Sequence, residues 1–133
     1  MSEAQNTKIV QEAYAAFGRR DIPAVLATMD DAVVWRPAYG AAKHVPLSGE
    51  RRGKAAVGEF FKTVAEVQDF DTFEPREFVA QGDKVITLGH YAATVKATGR
   101  RFDSDFVMVF TLRNGKLVDF QEFLDTAALN AAF

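Results

Sequence analysis

The sequence predicts an α+β fold in one domain, and three observations carry that prediction. Segments before residue 67 repeat apolar residues at helical spacing, segments from Phe73 onward read as strands, and Asn114-Gly115 is a strong type I′ hairpin signal between two of them. Helices gathered ahead of a run of long antiparallel strands pack on one face of the sheet they precede, and such strands must twist and curl to cover them.

Taken in order, Val10, Ala13, Tyr14 and Phe17 fall at i, i+3, i+4 and i+7 and form the apolar stripe of a first helix over Glu3 to Phe17, which Gly18 can end in a left-handed cap. Asp21 is an N-cap and Pro23 a first-turn residue for a short second helix bearing Val25, Leu26 and Met29. Val33-Val34-Trp35-Arg36 is β-rich and stops at Pro37, and Ala38 to Gly49 has no periodicity and reads as a long loop. Val57, Phe60, Phe61 and Val64 repeat the helical stripe, giving a third helix over Lys54 to Val67. Strands over Phe73 to Ala80, Val85 to Ala97, Phe102 to Leu112 and Leu117 to Leu124 are separated by turns at Gln81-Gly82-Asp83, Thr98-Gly99-Arg100 and Asn114-Gly115. Asp125 can cap a final helix from Thr126 to Phe133.

A chain of 133 residues, 48% hydrophobic and 12% aromatic, buries a core without disulfides or metal. Its twelve Phe suit a dense interior or an aromatic cavity for a flat organic molecule. A net charge of -2 gives no field to attract nucleic acid or anionic lipid. The absence of Cys excludes thiolate nucleophiles and fits a reducing compartment. The polar start, MSEAQNTKIV, does not read as a secretory signal, and the longest apolar run, Phe106 to Phe110, is too short to span a bilayer, so a cytoplasmic, soluble chain is expected.

Specific stretches resemble a known family. The GDKV turn, the TGR hairpin and the RNGKLVDFQEFLDTAAL ending, together with AYAAF, VVW and GERRGKAAVGEFF, are similar to SnoaL-like and ketosteroid-isomerase-related proteins of the NTF2-like superfamily. The resemblance implies one cone-like domain over 1–133, a curved, mostly antiparallel sheet wrapped around three N-terminal helices as an α+β barrel. It also implies a homodimer paired through the outer face of the sheet. Members include isomerases, polyketide cyclases, epoxide hydrolases and proteins that only bind ligands or serve as scaffolds. The oxyanion tyrosine of ketosteroid isomerases matches Tyr14 or a neighbour. Their general-base Asp falls near Arg36 and their protonated Asp near Val107 or Met108, so neither carboxyl is reproduced. Many SnoaL-like sequences have His where Met108 stands, and epoxide-hydrolase-like enzymes place a carboxylate at the position of Glu122.

Side chains alternate along strands, so Ile86, Leu88, His90 and Ala92 share one face, Ser104, Phe106, Met108, Phe110 and Leu112 another, and Val118, Phe120, Glu122 and Leu124 a third. If all three rows line the concave side, His90 and Glu122 project into an otherwise apolar interior as an acid/base pair, with Tyr14 as helper. Phe17, Phe61, Leu88, Phe106, Met108 and Phe120 are the expected substrate-binding wall. Of Trp35 and Arg36 only one can point inward: Trp35 as wall, or Arg36 as a cation for a carboxylate substrate or for Glu122. The residues left over, Val85, Tyr91, Val95, Val107 and Val109, form a second apolar face for a dimer.

Other patterns lead elsewhere. Asp103 and Asp105 lie opposite Met108 and read as solvated or interface carboxylates, as do Arg51, Arg52 and Lys54 as a solvated basic face. Tyr39, Lys43 and His44 lie on the long loop and are candidates for a lid over the pocket mouth. No two imidazoles stand at ligand spacing, so no metal is expected, and Gly49 to Ala55 lacks the length and the Ser/Thr of a phosphate loop. No dinucleotide, serine-hydrolase or zinc-peptidase motif occurs. The resemblance to SnoaL-like cyclases and isomerases, with His90 and Glu122 facing a cavity, implies cofactor-independent acid/base chemistry on a small hydrophobic carbonyl compound. The alternative is a ligand-binding module or dimeric scaffold of the same fold.

Overall fold

The computed structural model describes residues 2–133. Helix α1 (Glu3–Gly18) starts with a reciprocal capping box, in which Ser2 Oγ accepts the Gln5 N–H and Gln5 Oε1 accepts the Ser2 N–H. Gly18 stays inside the helix, and the left-handed residue that turns the chain is Arg20, at φ 60. Helix α2 (Ile22–Ala27) is capped by Asp21 as expected, but Met29 leaves it and opens strand β1 (Met29–Arg36). Met29 faces the core from the strand, where its long side chain is fully buried.

After β1, residues 37–50 form successive turns, and a two-residue strand β2 (Arg51–Arg52) pairs antiparallel with β1 before helix α3 (Lys54–Val67). Strand β3 runs over Gln68–Gln81, beginning five residues before the sequence pattern predicts. Two bulges interrupt it, between Phe70 and Thr72 and between Pro75 and Glu77, which breaks the alternation that marks a strand. Strands β4 (Lys84–Val95), β5 (Arg101–Arg113) and β6 (Lys116–Leu124) complete the meander, and α4 (Thr126–Ala132) is capped by Asp125.

Among the described residues the sheet has the order β2-β1-β6-β5-β4-β3, with β1 parallel to β6 and every other pair antiparallel. The edges β2 and β3 do not meet, so the α+β cone is an open curved sheet and not the closed barrel anticipated. Apolar faces of α1 and α3 close its concave side, burying Val10 and Ala13 from one and Val57, Phe60 and Val64 from the other.

The register corrects the sequence reading of β4. Val95 N–H donates to the Arg100 carbonyl, Thr94 pairs with Arg101, and the pairing continues as Tyr91 with Ser104, Gly89 with Phe106 and Thr87 with Met108. The concave row of β4 is therefore Val85, Thr87, Gly89, Tyr91, Ala93 and Val95, all buried or glycine, and its convex row is Ile86, Leu88, His90 and Ala92. The expected dimer face is split accordingly. Val85, Tyr91 and Val95 point inward, whereas Val107 and Val109 lie opposite Leu88 and Ile86 on the convex side.

Gly89 is required where it stands. A Cβ there would run into the Phe106 ring and lie 2.5 Å from the Glu74 carbonyl oxygen, so the missing side chain lets Phe106 lie across the strand and stack on Phe73.

Candidate functional site

Between α1, α3 and the concave sheet lies a cavity of about 90 Å³ with an almost wholly apolar lining. Trp35 of β1 stacks on Phe120 of β6 at 3.8 Å, and contacts with Phe61 and then Phe17 carry the aromatic wall from α3 to α1. Phe73 and Tyr91 continue it on β3 and β4.

One carboxyl stands in this wall. Glu122 is 7% exposed and lines the cavity, and its Oε1 accepts the backbone N–H of Ala38 at 3.0 Å. Burial raises its pKa from 4.5 to about 7, and the single bond from Ala38 opposes the rise only in part. The carboxyl is therefore poised between its two protonation states near neutral pH. Ala38 can aim its N–H this way because it adopts φ 46, a left-handed conformation unusual for alanine.

Two phenols share the cavity with that carboxyl. The Tyr14 hydroxyl donates to the Met108 sulfur at 3.0 Å, a weak acceptor that a better one can displace. Burial drives the Tyr14 pKa up, the Thr87 hydroxyl partly counters this, and the Glu122 charge adds to it. Burial likewise holds Tyr91 well above its ordinary value, again with a contribution from Glu122. Both phenols thus remain protonated donors across the neutral range. The Trp35 Nε1 and Gln68 Oε1 atoms are buried without a hydrogen-bond partner, and both residues belong to the cavity wall.

Of the residues singled out from the sequence, Glu122, Tyr14, Phe17, Trp35, Phe61, Met108 and Phe120 meet at the cavity. His90 does not. It sits on the convex face with Nε2 2.7 Å from Asp103 and Nδ1 2.8 Å from Asp105, because the register puts it directly opposite Asp105. Leu88 shares that outer row. Arg36 also points away, paired with Asp119 at 2.8 Å and Glu50 at 3.1 Å, which leaves Trp35 as the inward residue. Phe106 is buried on the concave side but packs behind the lining, against Phe73 and Tyr91.

Sequence reasoning missed Tyr91, Gln68 and the Ala38 amide. Tyr91 follows from the register once the length of the turn after β4 is known; a backbone donor such as Ala38 leaves no residue-type signal. Among the described residues no three His, Asp or Glu side chains are grouped to hold a metal ion, and no helix is long and apolar enough to cross a membrane.

Residues 10–120 match the model of the SnoaL-like domain. The chain belongs to the SnoaL-like family. This SnoaL-like protein is similar to an NTF2-like protein from Burkholderia xenovorans LB400, at 36% identity and a TM-score of 0.90 over 99% of this chain and 98% of that one. An NTF2-like protein of unknown function from Burkholderia pseudomallei K96243 aligns at 32% identity and a TM-score of 0.87, covering 99% and 98% of the two chains. TerC, in a structure co-crystallized with polyporic acid, is 31% identical with a TM-score of 0.84 over 96% of this chain and 97% of its own. No curated protein matches the chain.

Proposed function

We propose that this SnoaL-like protein is a cofactor-independent acid/base enzyme for a small, hydrophobic, carbonyl-bearing molecule, with Glu122 as the base and Tyr14 and Tyr91 as hydrogen-bond donors. The observation that carries this reading is a lone carboxyl, set near neutrality by burial, inside an aromatic cavity with two protonated phenols. Glu122 Oε2, the oxygen not engaged by Ala38, takes a proton from the carbon next to the carbonyl. The C–H electron pair moves into the enolate, and the charge arriving on oxygen is met by a phenol O–H. Tyr14 gives up only a bond to sulfur in doing so. Return of the proton to another carbon completes an isomerisation; attack of the enolate carbon on a second carbonyl forms a C–C bond and an alkoxide, and transfer of the Glu122 proton to that oxygen completes a cyclisation and frees the base.

That the similar TerC was co-crystallized with polyporic acid supports a cone that holds an organic ligand. The test is turnover of chromogenic enones and aromatic polyketide-like compounds by the wild type and by Glu122→Gln. Loss of about 10²-fold or more in the variant is expected, the range for removing a positioned base. Binding without turnover by the wild type would establish a ligand-binding module instead.

We expect pairing of two copies through the convex face, where Ile86, Leu88, Val107, Val109 and Phe123 leave an apolar stripe. Sedimentation at micromolar concentration checks it.

A further inference from the structure

Residues 37–50 cover one side of the cavity, to which Pro37, Ala38 and Leu47 contribute. This segment is fastened at three places. Ala38 and Tyr39 donate to Glu122, through its side chain and its backbone carbonyl. Asn130 of α4 accepts the Ala42 N–H on Oδ1 at 2.8 Å, and its carbonyl lies 2.9 Å from His44 Nε2. The third fastening is a single side chain. Arg51 Nη1 donates to the carbonyls of Leu47, Ser48 and Gly49 at 2.9, 2.6 and 2.6 Å, and Nη2 donates to that of Pro46 at 2.9 Å.

We propose that Arg51 is a positioning residue that clasps residues 46–49 as a lid over the Glu122 cavity, and that ligands enter when this clasp opens. Its neighbours use their charge differently, since Arg36 and Arg52 both pair with the Glu50 carboxylate. Arg51 instead collects four consecutive backbone carbonyls, an arrangement that fixes the course of the chain. The same guanidinium lies 5.0 Å from the centre of the Phe60 ring, and Phe60 lines the cavity, so the clasp joins the lid to the wall. Burial pulls the Arg51 pKa below its ordinary value, as fits a cation partly removed from water. Glycines in left-handed conformations bracket the segment, Gly40 at φ 87 before the clasp and Gly49 and Gly53 at φ 97 and 87 around Arg51. A cavity of about 90 Å³ is smaller than an aromatic ligand needs, so the wall has to widen to admit one. The inference concerns access and does not depend on Glu122 acting as a base.

The test uses no substrate. Trp35, the only tryptophan, is 5% exposed inside the cavity, so acrylamide quenching of its fluorescence reports lid opening, and hydrogen exchange at the Ala38 amide reports loss of its bond to Glu122. In Arg51→Gln with helix content equal to wild type, quenching should rise at least about threefold and Ala38 exchange about tenfold or more, the scale of losing charge-assisted hydrogen bonds. Arg51→Lys keeps a cation near Phe60 but not the fork; it should shift both readouts the same way, and it is the variant to read if Arg51→Gln does not fold. Arg52→Gln, beside it on an exposed side chain, should match wild type. Wild-type quenching and Ala38 exchange in a folded Arg51 variant would overturn the proposal, as would an equal effect of Arg52→Gln. Because neither readout involves turnover, an inactive protein with a working clasp, or an active one without it, is recognised as such.

Discussion

Ala38 donates its backbone N–H to the side chain of Glu122 from a left-handed conformation, at 3.0 Å. That one bond ties the turn after β1 to the last residues of β6 and engages Oε1 of the buried carboxyl. The remaining oxygen is thereby left for chemistry, and the cost of burying its charge sets the first expectation.

Stability should fall as pH rises from about 4.5 to about 7. Across that window the folded chain keeps a proton on Glu122 that the unfolded chain has released, so the folded state is favoured at the acid end and loses ground towards neutrality. From 4.5 to about 7 the contribution reaches about 3 kcal/mol at roughly 1.4 kcal/mol per pH unit. Glu122→Gln should abolish this dependence and be the more stable protein at pH 8, as urea unfolding at pH 5 and pH 8 will show. The same titration predicts that turnover rises with pH through an apparent pKa of about 7.

Tyr14→Phe separates stability from chemistry. The lost hydroxyl donates to the Met108 sulfur, a weak acceptor, so unfolding free energy should change by less than about 1 kcal/mol. Turnover should drop about 10²-fold if that phenol meets the enolate oxygen. A variant with full activity removes Tyr14 from the mechanism.

His90→Gln should leave ligand affinity and turnover within about twofold of wild type, because the imidazole lies on the convex face between Asp103 and Asp105. Its effect belongs to stability or self-association, measured by thermal unfolding and sedimentation. A collapse of turnover with an unchanged fold would place His90 at the chemistry after all.

Gly89→Ala should destabilise by at least about 1–3 kcal/mol, since the new methyl group meets the Phe106 ring and the Glu74 carbonyl, one of which is backbone of the paired strand. Denaturant midpoints at pH 5, where Glu122 is protonated, give the cleanest comparison.

Much of this arrangement is legible in the sequence. Apolar spacing finds α1 and α3, Asp21 and Asp125 announce the helices they cap, and alternation on β5 and β6 brings Met108 and Glu122 inward. The face of β4 is lost to the parity of one turn. Reading Thr98-Gly99-Arg100 as the turn makes it three residues long, whereas four, Lys96 to Gly99, separate the bonded Val95 and Arg100. One residue of difference exchanges the two faces, sending His90 out and bringing Tyr91 in. Arg51 is illegible for another reason: its partners are backbone carbonyls, and any sequence supplies those. The start of β3 is hidden by its bulges, and the parallel contact of β1 with β6 by its separation along the chain.

That last contact governs when the cavity can come into being. Val34 pairs with Asp119 and Trp35 with Phe120, so the strand carrying the tryptophan, paired with β2 on one edge, has to reach across most of the sequence for its second neighbour. The β3–β4 and β4–β5 pairings join strands adjacent in sequence, whereas β1 and β6 have to close a long loop. Docking of β6 on β1 should then be a late step, the one that brings Phe120 and Glu122 to the cavity. Destabilising changes at Trp35 or Phe120 should slow refolding, whereas changes in the β3–β4 hairpin should mainly quicken unfolding.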